Sequence, residues 1–297
     1  MKNPLNLEGG FYVEEVRMKR IAIQGFKGSF HDIASKHFFS DEQIDLICCG
    51  TFDQVFQKIS EDPTTIGMIA IENTIAGSLL HNYELLRDSN TTITGEYKLH
   101  ISHSICCLPE DSMNEIKEIH SHPVALMQCR NFLKRFPGIK LVEEEDTAGS
   151  AEIIATNHKK GWAAICHADA AELYGLKVLE NNIEDNKHNF TRFLVICNPN
   201  KADLLRPLLK ANKSSLVFSL PHEEGSLSSV LAILSFYKIN LSKIQSLPII
   251  GREWEYMFYI DLLFSDFTRY RQAIDAITPL TNDLKILGEY EEGRQSV

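Results

Sequence analysis

The sequence predicts an α/β protein whose first part has two lobes, followed by a smaller α+β module. Short apolar strands alternate with amphipathic helices through the first part of the chain, a pattern typical of βαβ units and parallel sheets. The last part has the order strand, helix, strand, strand, helix, strand, which is that of a ferredoxin-like βαββαβ fold. A length of 297 residues and a hydrophobic content of 44% indicate a globular protein of about two domains.

Composition and charge narrow the classes of function. The chain has 30 Lys and Arg against 40 Asp and Glu, which gives a formal net charge of -10. This disfavours nonspecific binding to nucleic acid or to an anionic membrane, although a local basic pocket for a small anion is still allowed. No apolar run approaches the ~20 residues that a membrane-spanning helix needs, and residues 1–20 do not resemble a secretory signal. The seven cysteines form no C-x-x-C pair, so we expect reduced thiols in a cytoplasmic protein.

Structure is predicted to begin near residue 19. Residues 1–18 lack a clean period and contain two adjacent glycines, so we interpret them as a flexible extension. An apolar strand then runs into a glycine turn, and Ser29 is a candidate cap for the next helix. Apolar periodicity predicts further strands at 44–49, 66–71, 99–107, 116–121, 140–143, 163–165 and 191–197, and helices at 29–39, 51–60, 79–86, 123–136 and 147–157.

These elements predict the division of the chain. The first domain is expected over 19–198, with one lobe formed by 19–98 and 181–198 and the other by 99–180. A linker with a short helix is expected over 199–213. The ferredoxin-like module is expected over 214–291, with strands at 215–220, 241–248, 255–264 and 285–290 and helices at 225–237 and 267–278.

Two polar segments follow predicted strands. The turn from Gly25 to Ser29 could present backbone N–H groups and a hydroxyl to an anion, but it lacks the complete dinucleotide and phosphate-loop motifs and is equally compatible with a structural turn. Asn73 and Thr74 follow the strand 66–71, and ligands bind at the carboxyl ends of parallel strands. A simple helix cap is the alternative for these two residues.

The histidines and the acidic run do not have metal-site spacing. His120 and His122 are two residues apart at a strand-to-helix junction, whereas His100 and His103 are three apart, which places them on opposite faces of a strand. We therefore predict no zinc site and assign His100 and His103 to structure. The acidic run 143–146 is interpreted as a solvated strand end, from which one carboxylate could face a cleft.

The segment 186–193 is the most suggestive for chemistry. It places the amide of Asn189, the hydroxyl of Thr191 and the guanidinium of Arg192 at the start of a strand that returns to the first lobe. An arginine can hold a carboxylate in a bidentate fork, and a threonine hydroxyl can hydrogen-bond a leaving oxygen. The alternative is an ordinary strand entrance with Arg192 in a salt bridge.

Taken together, these motifs resemble the prephenate dehydratase family with a C-terminal ACT regulatory domain, from about residue 19 to 290. The segments that carry the resemblance are Ile71-Glu72-Asn73-Thr74, Gly77-Ser78, Ser121-His122-Pro123, Gln128-Cys129, Tyr174-Gly175-Leu176 and Thr191-Arg192-Phe193. The resemblance implies a catalytic domain shaped like a type II periplasmic binding protein, with prephenate in the cleft between its lobes. It implies neither a cofactor nor a metal.

The resemblance also implies site residues. Thr191 would be the essential hydroxyl, and Arg192 and Phe193 complete the same catalytic motif. The positions implied to bind substrate are Ser29, Asn73, Ser121, Gln128, Glu145, Thr147 and Asn189. Asp146 stands where the family has a serine, which alters the wall of the cleft.

For the C-terminal module, the resemblance implies L-phenylalanine as an effector. It would bind between paired modules of a homodimer or homotetramer, since pairing buries an exposed sheet edge. The residues implied are Gly225, Ser226, Leu227, Gln245, Ser246, Leu247 and Pro248. Leu247 replaces an arginine that is common in the family, so we expect inhibition to persist with a changed affinity or ligand preference.

Two other functions stay open at this point. Arogenate dehydratase differs only in a substrate with an amino instead of a keto side arm, which one or two cleft residues could distinguish. A non-catalytic sensor of amino acids could also combine such a cleft with an ACT domain. Asn73 and Thr191 argue against the sensor, and the sequence has no evident output domain.

Overall fold

The computed structural model describes residues 18–205 and 210–296. Residues 1–17 of the predicted flexible extension lie outside the described residues, so this prediction is untested. The strands are β1 Lys19–Gln24, β2 Ile44–Cys49, β3 Ile66–Asn73, β4 Gly77–Ser78, β5 Thr92–His100, β6 Ser104–Cys107, β7 Glu118–Ser121, β8 Lys140–Glu143, β9 Trp162–Cys166, β10 Lys177–Glu180, β11 Phe190–Cys197, β12 Lys213–Ser219, β13 Asn240–Pro248, β14 Tyr256–Leu263 and β15 Asn282–Tyr290. The helices are α1 Phe30–Phe38, α2 Phe52–Glu61, α3 Leu80–Asp88, α4 Pro123–Gln128, α5 Arg130–Leu133, α6 Thr147–Thr156, α7 Ala168–Leu173, α8 Pro199–Leu205, α9 Ser226–Phe236 and α10 Phe267–Ile277.

The first lobe is built on five strands in the order β5-β11-β3-β1-β2. β1 pairs in parallel with β2 and β3, as the βαβ pattern predicts. β11 returns from the second lobe and inserts between β3 and β5, antiparallel to both. The hydroxyl of Ser29 accepts a hydrogen bond from the backbone N–H of Asp32, which confirms the predicted cap of α1.

The second lobe has its own sheet, in the order β10-β6-β9-β7-β8. Apolar residues of its inner strands, including Ile119 of β7 and Ile165 of β9, are fully buried. Two chain segments, 101–103 and 181–189, connect the lobes and hydrogen-bond to each other. The N–H of Ile101 donates to the carbonyl of Asn189 at 2.8 Å, and the N–H of Ile183 donates to that of His103 at 2.9 Å. The two lobes are therefore joined by a paired hinge.

The C-terminal module, residues 213–290, has four antiparallel strands in the order β13-β14-β12-β15. The predicted order of strands and helices in this region is confirmed. One face of its sheet packs on α9 and α10. The other face packs on the first lobe, where Val217 and Tyr259 join a buried cluster with Tyr83 and Leu86 of α3. β15 also pairs with β5 through Gly288 and Ile93, so one sheet continues through both parts.

Several predicted elements needed correction. The single strand predicted over 99–107 is two strands, because the chain leaves one sheet after His100 and enters the other at Ser104. The helix predicted over 123–136 is interrupted at Cys129, whose backbone departs from helical geometry. Sequence periodicity missed α7 and β10, which are short. Every helix within the described residues is too short or too polar to traverse a bilayer.

We expect Gly288→Ala to destabilise the junction between the two parts. A Cβ at this position would lie 2.4 Å from the carbonyl oxygen of Ile93, and this contact is to backbone, which cannot move aside easily. Overpacking of this kind costs about 1–3 kcal/mol. Chemical denaturation should show the loss, whereas Gly138→Ala, which meets nothing within 4 Å, should change stability little. Equal stability of the two variants would contradict the close junction.

Candidate active site

The candidate site is a cavity of about 480 Å³ between the two lobes. The first lobe contributes residues at the ends of strands, including Gln24 of β1, Asn73 of β3 and Thr191 of β11. The second lobe contributes residues from α4 and from the start of α6, including Gln128 and Thr147. Polar groups therefore converge on one cavity from both lobes, as the carboxyl ends of parallel strands favour.

Asn73 and Thr191 form the centre of this site. They are paired residues in the register of β3 and β11, and the side-chain Nδ2 of Asn73 donates to Thr191 Oγ1 at 2.9 Å. The amide orientation is fixed, because Asn73 Oδ1 accepts the backbone N–H groups of Ile75 and Ala76 at 2.9 and 2.8 Å. Since Thr191 Oγ1 accepts this bond, its own proton is free to be donated elsewhere.

A directional chain of hydrogen bonds extends from this pair into the second lobe. Asn73 also donates to Asn189 Oδ1 at 2.7 Å, and Asn189 Nδ2 donates to Gln128 Oε1 at 3.0 Å. The same Gln128 oxygen lies 2.9 Å from His103 Nε2, which we therefore assign as a donor. Burial lowers the pKa of His103 and favours its neutral ring. Asn189 thereby ties the pair Asn73 and Thr191 to Gln128 of the other lobe, and His103 contacts the same Gln128 oxygen.

This finding changes the interpretation of His103. The sequence assigns it to structure, but it lines the cavity and contacts a predicted substrate-binding residue. Its position depends on the chain break between β5 and β6, which periodicity did not predict. The pairing of His100 is as expected for a structural residue, because its ring lies 2.8 Å from the carbonyl of Lys187.

Three helix N-termini contribute partial positive charge to the wall of the cavity. The caps of α1, α2 and α6, which are Ser29, Thr51 and Asp146, all line it. A helix N-terminus carries partial positive charge and unpaired N–H groups. Among the described residues that line the cavity there is no Lys or Arg. An anion in this cavity would therefore be held by dipoles and hydrogen bonds.

His31 and Phe193 form the apolar floor of the cavity. Their rings meet edge to face with centroids 5.0 Å apart. His31 Nε2 accepts the backbone N–H of Ala70 at 3.2 Å, so this nitrogen is unprotonated. Burial lowers the pKa of His31 to about 3. The ring is therefore neutral at physiological pH and adds no charge to the floor.

The acidic run ends in the cavity wall. Glu145, Asp146 and Thr147 all line it, so more than one residue of this segment faces the cleft. Asp146 accepts the backbone N–H of Gly149 at 2.8 Å and caps α6. Burial raises the pKa of Asp146 despite this hydrogen bond. Glu145 is exposed at the cavity mouth.

The structure places three predicted site residues outside the cavity lining. Ser121 is fully buried at the end of β7 and donates to the carbonyl of Ile165 at 2.6 Å. Asn189 lies behind the wall, where it links Asn73 to Gln128. Arg192 is on the opposite face of β11 from Thr191, as expected from the alternation of side chains on a strand.

The interpretation of Arg192 as a fork for a substrate carboxylate is therefore corrected. Its guanidinium is buried and pairs with the carboxylates of Glu96, Asp261 and Glu72. The contacts of Arg192 fit the alternative interpretation, in which it is a strand residue held in salt bridges. The alternation of side chains along a strand is enough to place Arg192 and Thr191 on different faces of β11.

The residues predicted to bind an effector are divided between two faces of the C-terminal module. Gly225 caps α9 with a φ of 84°, and Ser226 and Leu227 line a small cavity together with Trp254. Ser246 pairs with Phe258, which packs on the helices. The other predicted residues of β13 lie toward the first lobe. Leu247 is buried in the cluster that packs on the first lobe, and Gln245 pairs with Tyr259 of that cluster. Pro248 lies beside the same cluster. Leu247 is thus corrected to a core residue in the described chain.

The fold and the cavity define a two-lobed α/β protein that takes a small ligand between its lobes. A family model described as prephenate dehydratase matches residues 21–201. The chain belongs to the prephenate dehydratase family.

Relatives agree with this assignment. A bifunctional chorismate mutase/prephenate dehydratase of Enterobacter agglomerans is 32% identical over 91% of this chain and 70% of its own length. Arogenate dehydratase 3 of Arabidopsis thaliana is 33% identical over 91% of this chain and 66% of its own length. The family and these names indicate a prephenate dehydratase enzyme, as the sequence predicts, and the second relative keeps the substrate question open.

Two solved structures also match over most of the chain. Prephenate dehydratase from Arthrobacter aurescens in complex with L-Phe has a TM-score of 0.79 at 25% identity, over 92% of this chain and 90% of that one. A protein titled GqqA, a quorum quenching acylase, has a TM-score of 0.80 at 28% identity, over 92% of this chain and 98% of that one. The same fold therefore occurs in proteins with two different reported activities.

We expect His31 to contribute to acid sensitivity of the fold. Its pKa is lowered to about 3 in the folded protein against 6.5 in the unfolded chain, so stability from the neutral ring is present above pH 6.5 and is lost as the pH falls toward 3. Over this range His31→Gln should reduce the slope of unfolding free energy against pH by roughly one kcal/mol per pH unit.

The measurement is urea denaturation of both proteins at pH 6.5, 5.5 and 4.5. His37→Gln is the control, because His37 lies on the same helix but is exposed. Parallel stability curves for wild type and His31→Gln would show that His31 is not the titrating group.

Proposed function

We propose that the protein removes carbon dioxide and water from prephenate in the cavity between the lobes, with Thr191 as the hydroxyl that assists departure of the leaving group. The single observation that carries this proposal is the bond from Asn73 to Thr191 Oγ1 at 2.9 Å. Because the oxygen is already an acceptor, the threonine proton can point toward a ligand in the cavity.

The chemistry requires little beyond orientation and hydrogen bonding. The bond between the ring and its carboxylate breaks, and the electron pair moves through the ring as the bond to the ring hydroxyl breaks. The products are carbon dioxide, water once hydroxide gains a proton, and phenylpyruvate, whose aromatic ring drives the reaction. The reaction has no net oxidation, so it needs no redox cofactor.

Threonine is a weak acid, which restricts its role. We assign Thr191 as a hydrogen-bond donor to the departing oxygen, and not as a free general acid. The bond from Asn73 stabilises charge that develops on the threonine oxygen, and preorganised donors of this kind account for much of enzymatic rate enhancement. The substrate carboxylates would face the helix N-termini and Gln128, because the described cavity lining offers no Lys or Arg.

The side arm of the substrate is the first alternative. Arogenate carries an ammonium group where prephenate carries a ketone, and an arogenate dehydratase is among the relatives. Glu145 and Asp146 provide carboxylates in the cavity that could pair with that ammonium. The direct test compares formation of phenylpyruvate from prephenate and of phenylalanine from arogenate by the purified protein, with kcat/KM for each.

A second candidate function is an acylase activity, the hydrolysis of an acyl group from an amide. It is favoured by the likeness to the structure titled a quorum quenching acylase, at 28% identity. The same preparation should therefore be assayed for hydrolysis of a long-chain acyl amide. Turnover of the acyl substrate without turnover of prephenate would reject the proposed dehydratase function.

We further propose that the C-terminal module is an ACT domain that binds L-phenylalanine in a homodimer or homotetramer. The order of its strands and helices fits this domain, and a solved prephenate dehydratase with the same fold carries L-Phe. Gly225 supports a ligand at the start of α9, because its positive φ lets the backbone turn closely around a carboxylate. Gln245, Ser246 and Pro248 of a neighbouring subunit remain the proposed opposing segment.

We predict that Thr191→Ala lowers kcat roughly 100-fold or more, the scale for loss of a proton-transfer partner. Thr191→Ser should retain part of the rate because the hydroxyl remains. Steady-state formation of phenylpyruvate measures both, and circular dichroism checks that each variant is folded. If alanine and serine variants have the same rate, the hydroxyl is not the operative group.

We also predict that L-phenylalanine binds the oligomer and inhibits the reaction, with an allosteric coupling of about 1–3 kcal/mol. Calorimetry on the full chain should detect binding of L-phenylalanine, with D-phenylalanine as the control for stereospecific recognition. Sedimentation velocity at micromolar protein should show a dimer or tetramer. Absence of binding, or a monomer, would remove the regulatory proposal and leave the catalytic one intact.

A further inference from the structure

A buried cluster of charges joins the C-terminal module to the strands that carry the active site. We call it the junction network. From the first part of the chain it contains Glu72, Glu96 and Arg192, and from the module it contains Lys213, Lys243, Asp261 and Tyr290. It lies behind the cavity, on the other face of β3 and β11 from Asn73 and Thr191.

Arg192 is the centre of the junction network. Its Nε donates to Glu96 at 2.5 Å, and its Nη2 donates to the hydroxyl of Tyr290 at 2.9 Å. Its Nη1 pairs with Asp261 and lies 3.4 Å from Glu72. Arginine provides these donors in a rigid planar fork, so several partners together fix its position.

The remaining members complete the pairing across the junction. Lys213 donates to both oxygens of Glu96 at 2.9 Å. Lys243 pairs with Glu72 and also lies 3.0 Å from the hydroxyl of Ser78. The network thus contains three cationic side chains and three carboxylates.

Burial makes the geometry of this network strict. Arg192, Glu96, Asp261 and Lys213 are each less than a tenth exposed, and Tyr290 is fully buried. Burial opposes the charge on Arg192, yet Asp261 and its other partners raise the pKa of the guanidinium above its ordinary value. A buried charge that loses its partner is costly, so movement of the module would force these groups to rearrange together.

The register of β3 and β11 connects this network to the reacting group. Glu72 is paired with Arg192, and the next pair along the two strands is Asn73 with Thr191. The network and the catalytic pair therefore lie on adjacent rungs of one ladder, separated by no loop. A shift of Arg192 or Glu72 along the strand direction would be transmitted to the 2.9 Å bond between Asn73 and Thr191.

We propose that the C-terminal module positions the catalytic hydroxyl through the junction network, so that Arg192 and, from the module, Lys243 and Asp261 are positioning residues for the reaction. This inference rests on the proposed function of Thr191. None of the three residues lines the cavity. Displacement of a reacting group by about 1 Å can cost roughly 100-fold in rate, so small adjustments at this ladder can control turnover.

The test is a double-mutant cycle on Lys243 and Glu72, the most exposed edge of the network, where folding should tolerate the change best. Lys243→Met, Glu72→Gln and the double variant are compared with wild type for kcat, KM and stability. Each single variant should lower kcat roughly tenfold with KM within about twofold, because the hydroxyl is misplaced while the substrate contacts remain. The double variant should be no slower than the slower single variant. Lys243→Arg should retain most of the rate because the charge is kept.

A matched control is Lys285→Met. Lys285 also joins the module to the first part, through the carbonyls of Arg87 and Ser89 at 2.7 and 2.8 Å, and within the described residues its hydrogen bonds involve neither β3 nor β11. It should lower stability without lowering kcat. A second variant, Lys243→Gln, keeps the test available if Lys243→Met is unstable.

Three outcomes would overturn the inference. They are an unchanged kcat in both Lys243→Met and Lys243→Gln, rate losses that add fully in the double variant, and an equal loss of kcat in Lys285→Met. In each case a large effect of Thr191→Ala would leave the catalytic proposal standing. A normal rate for Thr191→Ala would instead reject the proposed function itself.

Discussion

The antiparallel pairing of β11 with β3 is the interaction on which the rest of this structure depends. β11 follows the second lobe in sequence, yet it lies in the middle of the first-lobe sheet, between β3 and β5. This single insertion closes the first lobe, fixes the two hinge segments side by side and brings Thr191 opposite Asn73. Because strand registers change only in whole residues, the distance between these two side chains is set by backbone pairing.

The same pairing separates two chemical environments by the thickness of a sheet. Side chains alternate along a strand, so Thr191 and Phe193 face the cavity while Arg192 faces the C-terminal module. The cavity side is lined by hydrogen-bonding groups, the neutral ring of His31, helix ends and the carboxylates of Glu145 and Asp146. The opposite side concentrates ion pairs, which tolerate burial only with nearly complete pairing. The guanidinium of Arg192 is thus next to Thr191 in sequence but on the other side of the sheet from the cavity.

Much of this arrangement could be predicted from the sequence. Apolar periodicity predicts most strands and helices of the first lobe and the module, and the family motifs predict the residues Asn73, Gln128 and Thr191 of the cavity. What failed depended on contacts distant in sequence. The role of His103 requires the chain break after β5, and Leu247 became a core residue because the module packs on α3. Arg192 was assigned to the substrate although the period of two places it on the other face from Thr191.

The hydrogen-bond chain from Asn73 to His103 suggests how closure of the lobes would bear on chemistry. Its donors and acceptors have fixed directions, because backbone N–H groups determine the orientation of the first amide. Asn189 belongs to a hinge segment and Gln128 to the second lobe, so the chain is complete only when the lobes have this spacing. Opening the cleft would break the bond between Asn189 and Gln128, whereas the bond from Asn73 to Thr191 lies within the first lobe and would remain. Closure of the lobes would therefore bring Gln128 and His103 to the polar groups of the first lobe, and closing an active site also excludes water from reacting groups.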